Sequence, residues 1–235
     1  MLFLCVSDIH GRLDALSAVL ATAERRNFQK LLVAGDILFP GPQPLETWKR
    51  LSAAGAQMVQ GVTDRAIATL DPETITARTE HERTMLERMR AVRSELGDLI
   101  LARVRKLPTH IRVPLEDGGE LVLVHGSPSD PSEALTFDMS DEEINALLGD
   151  DPADVVVCGM SHVPFDRMIA DVRVINVGSV GEAPDAQGGG RGAGSSIAHA
   201  TWIESTPQGL IVEPFTVPLG PSPSFVASAQ AERAR

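Results

Sequence analysis

Five short apolar runs in this chain each end on, or lead within a few residues to, an acid or a histidine, and that recurrence limits the fold more than any other feature. Leu2-Phe3-Leu4-Cys5-Val6-Ser7 ends in Asp8 and His10, and Leu31-Leu32-Val33-Ala34-Gly35 ends in Asp36. Met58-Val59-Gln60-Gly61 leads to Thr63 and Asp64, Leu121-Val122-Leu123-Val124 ends in His125, and Val155-Val156-Val157-Cys158-Gly159 leads to His162. Runs of this length and composition read as β-strands. The carboxyl ends of strands are where open α/β sheets put their binding sites.

Between the runs, helical spacing takes over. Residues 12 to 26 place Leu13, Leu16, Val19 and Leu20 on one face, and residues 44 to 54 give a second helix. Strands are expected over Leu2 to Ser7, Lys30 to Ala34 and Gln57 to Gln60. Thr79-x-x-Glu82 is a capping box opening a long charged helix that ends near Leu107-Pro108. This alternation is the signature of βαβ units and a partly parallel sheet. From His110 the pattern turns to hairpins, with Ile111 to Pro114 and Glu120 to Val124 flanking the turn Asp117-Gly118-Gly119. Ser140-x-x-Glu143 caps a helix over 141 to 148, and strands follow at 154 to 158, 165 to 170, 172 to 177, 197 to 204 and 209 to 216. Residues 1–218 are expected to form a single domain. The glycine-rich stretch over 188–194 reads as a loop, and 219–235 as a flexible tail.

Charge narrows the partners. With 21 basic against 32 acidic residues the net charge is −11, which opposes binding along a nucleic-acid backbone or at an anionic membrane. A small phosphate ester remains possible, because it needs only a local positive centre and a bound cation supplies one. Cys5 and Cys158, the two cysteines, lie inside apolar runs where a thiol behaves as a small hydrophobe. No apolar run is long enough for a signal peptide or a membrane span, so a cytoplasmic protein is expected. Oligomeric state leaves no trace in the sequence.

Asp8 and His10 are two apart, so on an extended backbone both side chains leave the same face and can share one ion. Two carboxylates with two imidazoles suit a divalent ion such as Mn²⁺, Fe²⁺ or Zn²⁺. Taken singly, an Asp after a strand is commonly a turn former or helix cap, and a lone His125 is more often structural. Together they favour a metal site, because the structural reading would have to place Asp, His, Asp, His and His at strand ends by chance.

The set Asp8-Ile9-His10-Gly11, Gly35-Asp36, Gly61-x-x-Asp64, His125-Gly126 and Gly159-x-x-His162 resembles the ordered motifs of the calcineurin-like metallophosphoesterases. Gly35-Asp36-Ile37-x-x-Pro40-Gly41-Pro42, His125-Gly126-Ser127-Pro128 and Asn176-Val177-Gly178-Ser179-Val180-Gly181 resemble the small YfcE-like phosphodiesterase branch. The resemblance implies an α/β fold, a four-layer sandwich of two mixed β-sheets flanked by helices, with two metals at the strand ends. Asp8, His10, Asp36 and His162 would hold the first. Asp36 would bridge to a second, which His125 would share. At the other two second-metal positions this chain has Val62 where the family has Asn, and Met160 where it has His. Thr63 stands where many relatives carry a proton-donating His.

The resemblance therefore implies a hydrolase acting on phosphate esters, as phosphodiesterase or phosphatase, through a metal-activated water. One tight divalent site is expected, with the second weak or empty. Asp36, Asp64 and His125 are the candidate catalytic residues, although Asp64 also suits a role in holding its loop. Arg12 and Arg65 are the candidate phosphate contacts. The alternative is a catalytically impaired relative that binds a phosphate-containing ligand or a protein partner through the same cleft.

Overall fold

The structure, a computed structural model, describes residues 1–150, 153–184 and 195–220. Its first sheet is built on β1 (Leu2–Val6), β2 (Lys30–Val33) and β3 (Gln57–Met58), which run parallel, with β9 (Ile197–Thr206) and β10 (Gly209–Pro218) added antiparallel in the order β10-β9-β1-β2-β3. The second comprises β4 (His110–Pro114), β5 (Glu120–Val124), β6 (Val155–Cys158), β7 (Phe165–Ile169) and β8 (Val172–Asn176), in the order β4-β5-β6-β8-β7. Here β5, β6 and β8 are the parallel strands. In each sheet, then, the parallel strands bring their carboxyl ends to one edge.

Period-two alternation decides what each face touches. Phe3 and Cys5 of β1 meet Leu121, Leu123, Val155 and Val157 of the other sheet, forming a core between the two sheets. Leu4 and Val6 point the other way, toward α1 (Leu13–Ala23), α2 (Pro44–Ala53), α3 (Val62–Thr69) and α4 (Glu80–Arg105). Across the molecule Val156 and Cys158 pack with Ile144 and Leu148 of α5 (Asp141–Leu148). The layers are thus helices, sheet, sheet, helix. Each fully buried Leu or Val contributes about 1.5–3 kcal/mol relative to exposure, so strands apolar on both faces have no stable place outside such a sandwich.

Local chemistry sets the element ends. Thr79 accepts from the Glu82 N–H at 3.1 Å while Glu82 accepts from that of Thr79 at 3.2 Å, and Ser140 and Glu143 repeat the exchange. Three expectations change. β3 stops at Met58, α4 ends at Arg105 and breaks its helical φ/ψ at Gly97 (φ 69°), and residues 62–69, which the sequence reading passes over, form α3. Both cysteines are free and buried, and burial raises the Cys158 thiol to about 12. Residues 188–194 and 221–235 lie outside the described residues. No helix among the described residues is long and apolar enough to cross a membrane.

Candidate metal centre

Where the strands end, the backbone turns hard. Asp8, His10, Asp36, Met160 and His162 hold φ between 50° and 66°, five of the six positive-φ non-glycine residues among those described. Such conformations cost about 1 kcal/mol or more each and persist only where surrounding bonds enforce them. Those bonds are present: Asp8 N donates to Gly35 O at 3.0 Å, His10 N to Asp36 O at 2.9 Å, and Gly181 N to Asp8 O at 2.9 Å. Two glycines allow the close approach. A Cβ on Gly61 would lie 2.2 Å from Asp36 Oδ1, and one on Gly159 would lie 1.9 Å from Ser7 Oγ and 2.6 Å from Asp8 Oδ2.

These turns aim five side chains at one place, in two clusters that share a residue: Asp8, His10 and His162, and Asp8, Asp36 and His125. Asp8 Oδ2 accepts from Met160 N at 2.9 Å. Its Oδ1 is buried and has no hydrogen bond, although His162 Nε2 stands 3.2 Å away and His10 Nε2 3.9 Å. The two imidazole Nε2 atoms face each other at 3.3 Å. In the second cluster His125 Nε2 is likewise buried without a partner, 3.4 Å from Asp36 Oδ1.

Tautomers follow from the opposite ring edge. His10 Nδ1 donates to Phe39 O and His125 Nδ1 to Ala34 O, both at 2.6 Å, so each carries its proton there and turns the Nε2 lone pair inward. Buried polar atoms left without a hydrogen bond, here Asp8 Oδ1 and His125 Nε2, would each cost about 1–3 kcal/mol. A divalent cation satisfies them together, and mixed imidazole and carboxylate donors suit it. The residues present fit the metal.

Without that cation the charges pair among themselves. Burial pulls the His125 imidazolium down, but the Asp36 carboxylate more than offsets this and leaves it raised to about 9. Burial pushes Asp36 up, and His125 and His10 bring it below its ordinary value. His162 is raised, its desolvation outweighed by Asp8. Burial, then the neighbouring Asp36, lifts Asp64 to about 6.

The remaining expected residues sit at different depths. Asp64 is fully buried, and its carboxylate accepts from Ile37 N at 3.0 Å and Gly61 N at 3.1 Å. It ties the Asp36 turn to the start of α3. Arg12 is committed to Asp14 through two bonds of 3.0 and 2.9 Å, whereas Arg65 is exposed on α3. Thr63 N donates to Asp36 Oδ1 at 2.8 Å. Val62 opens α3, 40% exposed as a residue, and its side chain brings no donor atom. Sharing Asp8 gives the second cluster three donors, one more than Asp36 and His125 alone. Glu182, which the sequence reading did not single out, stands 3.9 Å from His10 Nε2. It directly follows the Asn176–Gly181 segment, six residues past the end of β8.

Fold and site together define a metal-binding α/β/β/α protein whose donors sit where two sheets bring their strand ends together. The chain belongs to the calcineurin-like phosphoesterase superfamily, whose domain profile matches residues 1–192. An uncharacterized protein of Methanocaldococcus jannaschii is 27% identical over 163 residues, 68% of this chain. The match spans 62% of that relative's own length. A hypothetical protein of Pyrococcus horikoshii shares the fold with a TM-score of 0.79 at 20% identity, covering 99% of this chain and 93% of that one. A metallophosphoesterase of Sphaerobacter thermophilus does so with a TM-score of 0.72 at 22% identity, covering 100% and 93%.

Proposed function

We propose that this chain is a metal-dependent phosphoesterase acting on small phosphate esters, with one tightly held divalent cation and a weaker second one. The observation that carries the reading is the pair of three-donor clusters sharing Asp8, each with a buried donor atom that lacks any other partner. A divalent cation in such a site polarises a phosphoryl oxygen and lowers the pKa of a water, by Lewis-acid action.

The chain's own residues do the rest. The carbonyls of Phe39 and Ala34 hold His10 and His125 in the ligating tautomer. Asp64 fixes the backbone that carries Asp36, which makes it a positioning residue. Arg65 is the exposed cation available to a phosphate at the start of α3. Mn²⁺, Fe²⁺ and Zn²⁺ all suit the donor set. The weaker second position follows from Val62 and Met160, which leave that cluster without the two further ligands of the two-metal pattern. A net charge of −11 favours compact esters over extended nucleic acid.

Hydrolysis of bis(p-nitrophenyl) phosphate across Mn²⁺, Fe²⁺, Zn²⁺, Ni²⁺ and Co²⁺, with Asp36→Asn as control, tests the reading. Metal-dependent turnover lost in the control supports it. Tight metal binding with no turnover above the control would instead favour a non-catalytic relative that binds a phosphate-containing ligand or a protein partner, the outcome that Val62 and Met160 favour.

A further inference from the structure

The three histidines of the site are not held alike. His10 and His125 each give Nδ1–H to a main-chain carbonyl at 2.6 Å, and their side chains are 6% and 0% exposed. His162 sits on a loop at φ 64° with its side chain 24% exposed. No carbonyl among the described residues takes its Nδ1. Across that edge lies the Glu182 carboxylate, whose Oε2 stands 4.0 Å away.

We propose that Glu182 is the outer carboxylate of the first cluster, accepting Nδ1–H from His162 and so aiming the Nε2 of that ring at the cation. The backbone supports this placement. Ser179 Oγ donates to Asp8 O at 2.9 Å and accepts from Glu182 N at 2.8 Å, so one hydroxyl ties the Glu182 main chain to the end of β1. Gly181 N adds a second tie to Asp8 O at 2.9 Å. The side chain remains 32% exposed. Closing 4.0 Å to hydrogen-bond length needs a movement of about 1.2 Å, within the reach of one glutamate torsion. The same Oε2 stands 3.9 Å from His10 Nε2, yet Glu182 is not among the convergent donors of either cluster, which favours a positioning residue over a ligand. A carboxylate on the far nitrogen fixes the tautomer and raises the donor strength of the near one.

The inference rests on the metal reading of the same site. Mn²⁺ and Zn²⁺ dissociation constants are measured by titration calorimetry on the full chain, its Glu182→Ala and Glu182→Gln forms, and His162→Ala. Nitrogen-15 spectra of the Zn²⁺-loaded chain report the His162 ring. Glu182→Ala is expected to weaken the tighter site about 10- to 100-fold and to speed exchange of the His162 Nδ1 proton. Glu182→Gln, whose amide oxygen still accepts, falls between it and the wild type. Unchanged affinity and exchange in Glu182→Ala would overturn the proposal. So would a loss in Glu182→Gln as deep as in His162→Ala, which would make Glu182 a ligand. If the wild type binds neither ion, the metal reading itself has failed, and that result is distinct from both.

Discussion

The two clusters differ in their ligands but hardly in their framing. The first has Asp8, His10 and His162, and the second Asp8, Asp36 and His125. Val62 and Met160 stand at the two positions where the family pattern would supply further ligands to the second. Yet the devices that hold ligands are as complete there as in the first. Asp36 keeps its positive φ, Gly61 keeps its close approach, and Ala34 O still takes His125 Nδ1. Framing and ligation are therefore separable. The turns are part of the strand ends and serve the fold as well as the metal, while a donor side chain serves the metal alone and can be lost without unfolding the sandwich.

Asp8 is the residue the clusters share, and its removal tests that comparison most severely. Asp8→Ala is expected to abolish binding at both clusters, while His125→Ala spares the first. Metal content per chain by elemental analysis checks both, and a variant of Asp8 that still holds a full equivalent would break the sharing. The next largest effect runs the other way. Val62→Asn with Met160→His returns two donors to the second cluster, so the weaker cation should bind about 10-fold tighter or more. Metal titration reads the gain. A double variant still limited to one cation would show that framing, not ligation, was lost.

Much of this was open to reading from residue order, for a physical reason. A strand end is a local feature: an apolar run, a glycine and an acid or histidine suffice to mark it. Asp8, His10, Asp36, His125 and His162 stand out that way, and so did both capping boxes. α3 was missed because its 8 residues bury only Asp64, Ile67 and Ala68 and its N-cap is Gly61, so the periodicity is short and the one capping side chain is Asp64 at the third position. Glu182 was missed because its meaning lies across space, at a histidine 20 residues earlier whose Nδ1 has no carbonyl partner among the described residues. The sharing of Asp8 could not be read at all. It depends on how two sheets meet.

Asp64 offers a test of framing alone. Asp64→Ala would leave the N–H groups of Ile37 and Gly61 unpaired in a fully buried place, at about 1–3 kcal/mol each. Urea unfolding of the metal-free chain should show a loss of that order. If stability holds and only turnover falls, Asp64 acts on the substrate and not on the loop.

Protons compete with the cation at the second cluster. In the metal-free chain His125 is raised from 6.5 to about 9 by Asp36. The stability from that pair is present below about pH 6.5, down to the acid range where Asp36 takes up its own proton, and is lost as pH rises through about 9. Metal binding has the opposite dependence, because His125 must release its proton to ligate. Below about pH 9 the weaker cation should lose affinity about tenfold per pH unit. Thermal unfolding with and without Mn²⁺ across this range checks the two opposed slopes.

The smallest expected effects separate the two arginines, and with them framing from substrate contact. Arg12 is 9% exposed and doubly bonded to Asp14, so Arg12→Ala should cost about 1 kcal/mol of stability and change KM little in the protein that remains folded. Arg65 is exposed. The carboxylate of Asp130, held low first by its bonds from Ser132, also feels its charge in small part. Arg65→Ala should leave stability unchanged and raise KM by about threefold at constant kcat, the mark of binding shared equally by ground and transition states. If KM rises in Arg12→Ala instead, the guanidinium must leave Asp14 when substrate enters, and Arg12 passes from the frame to the site.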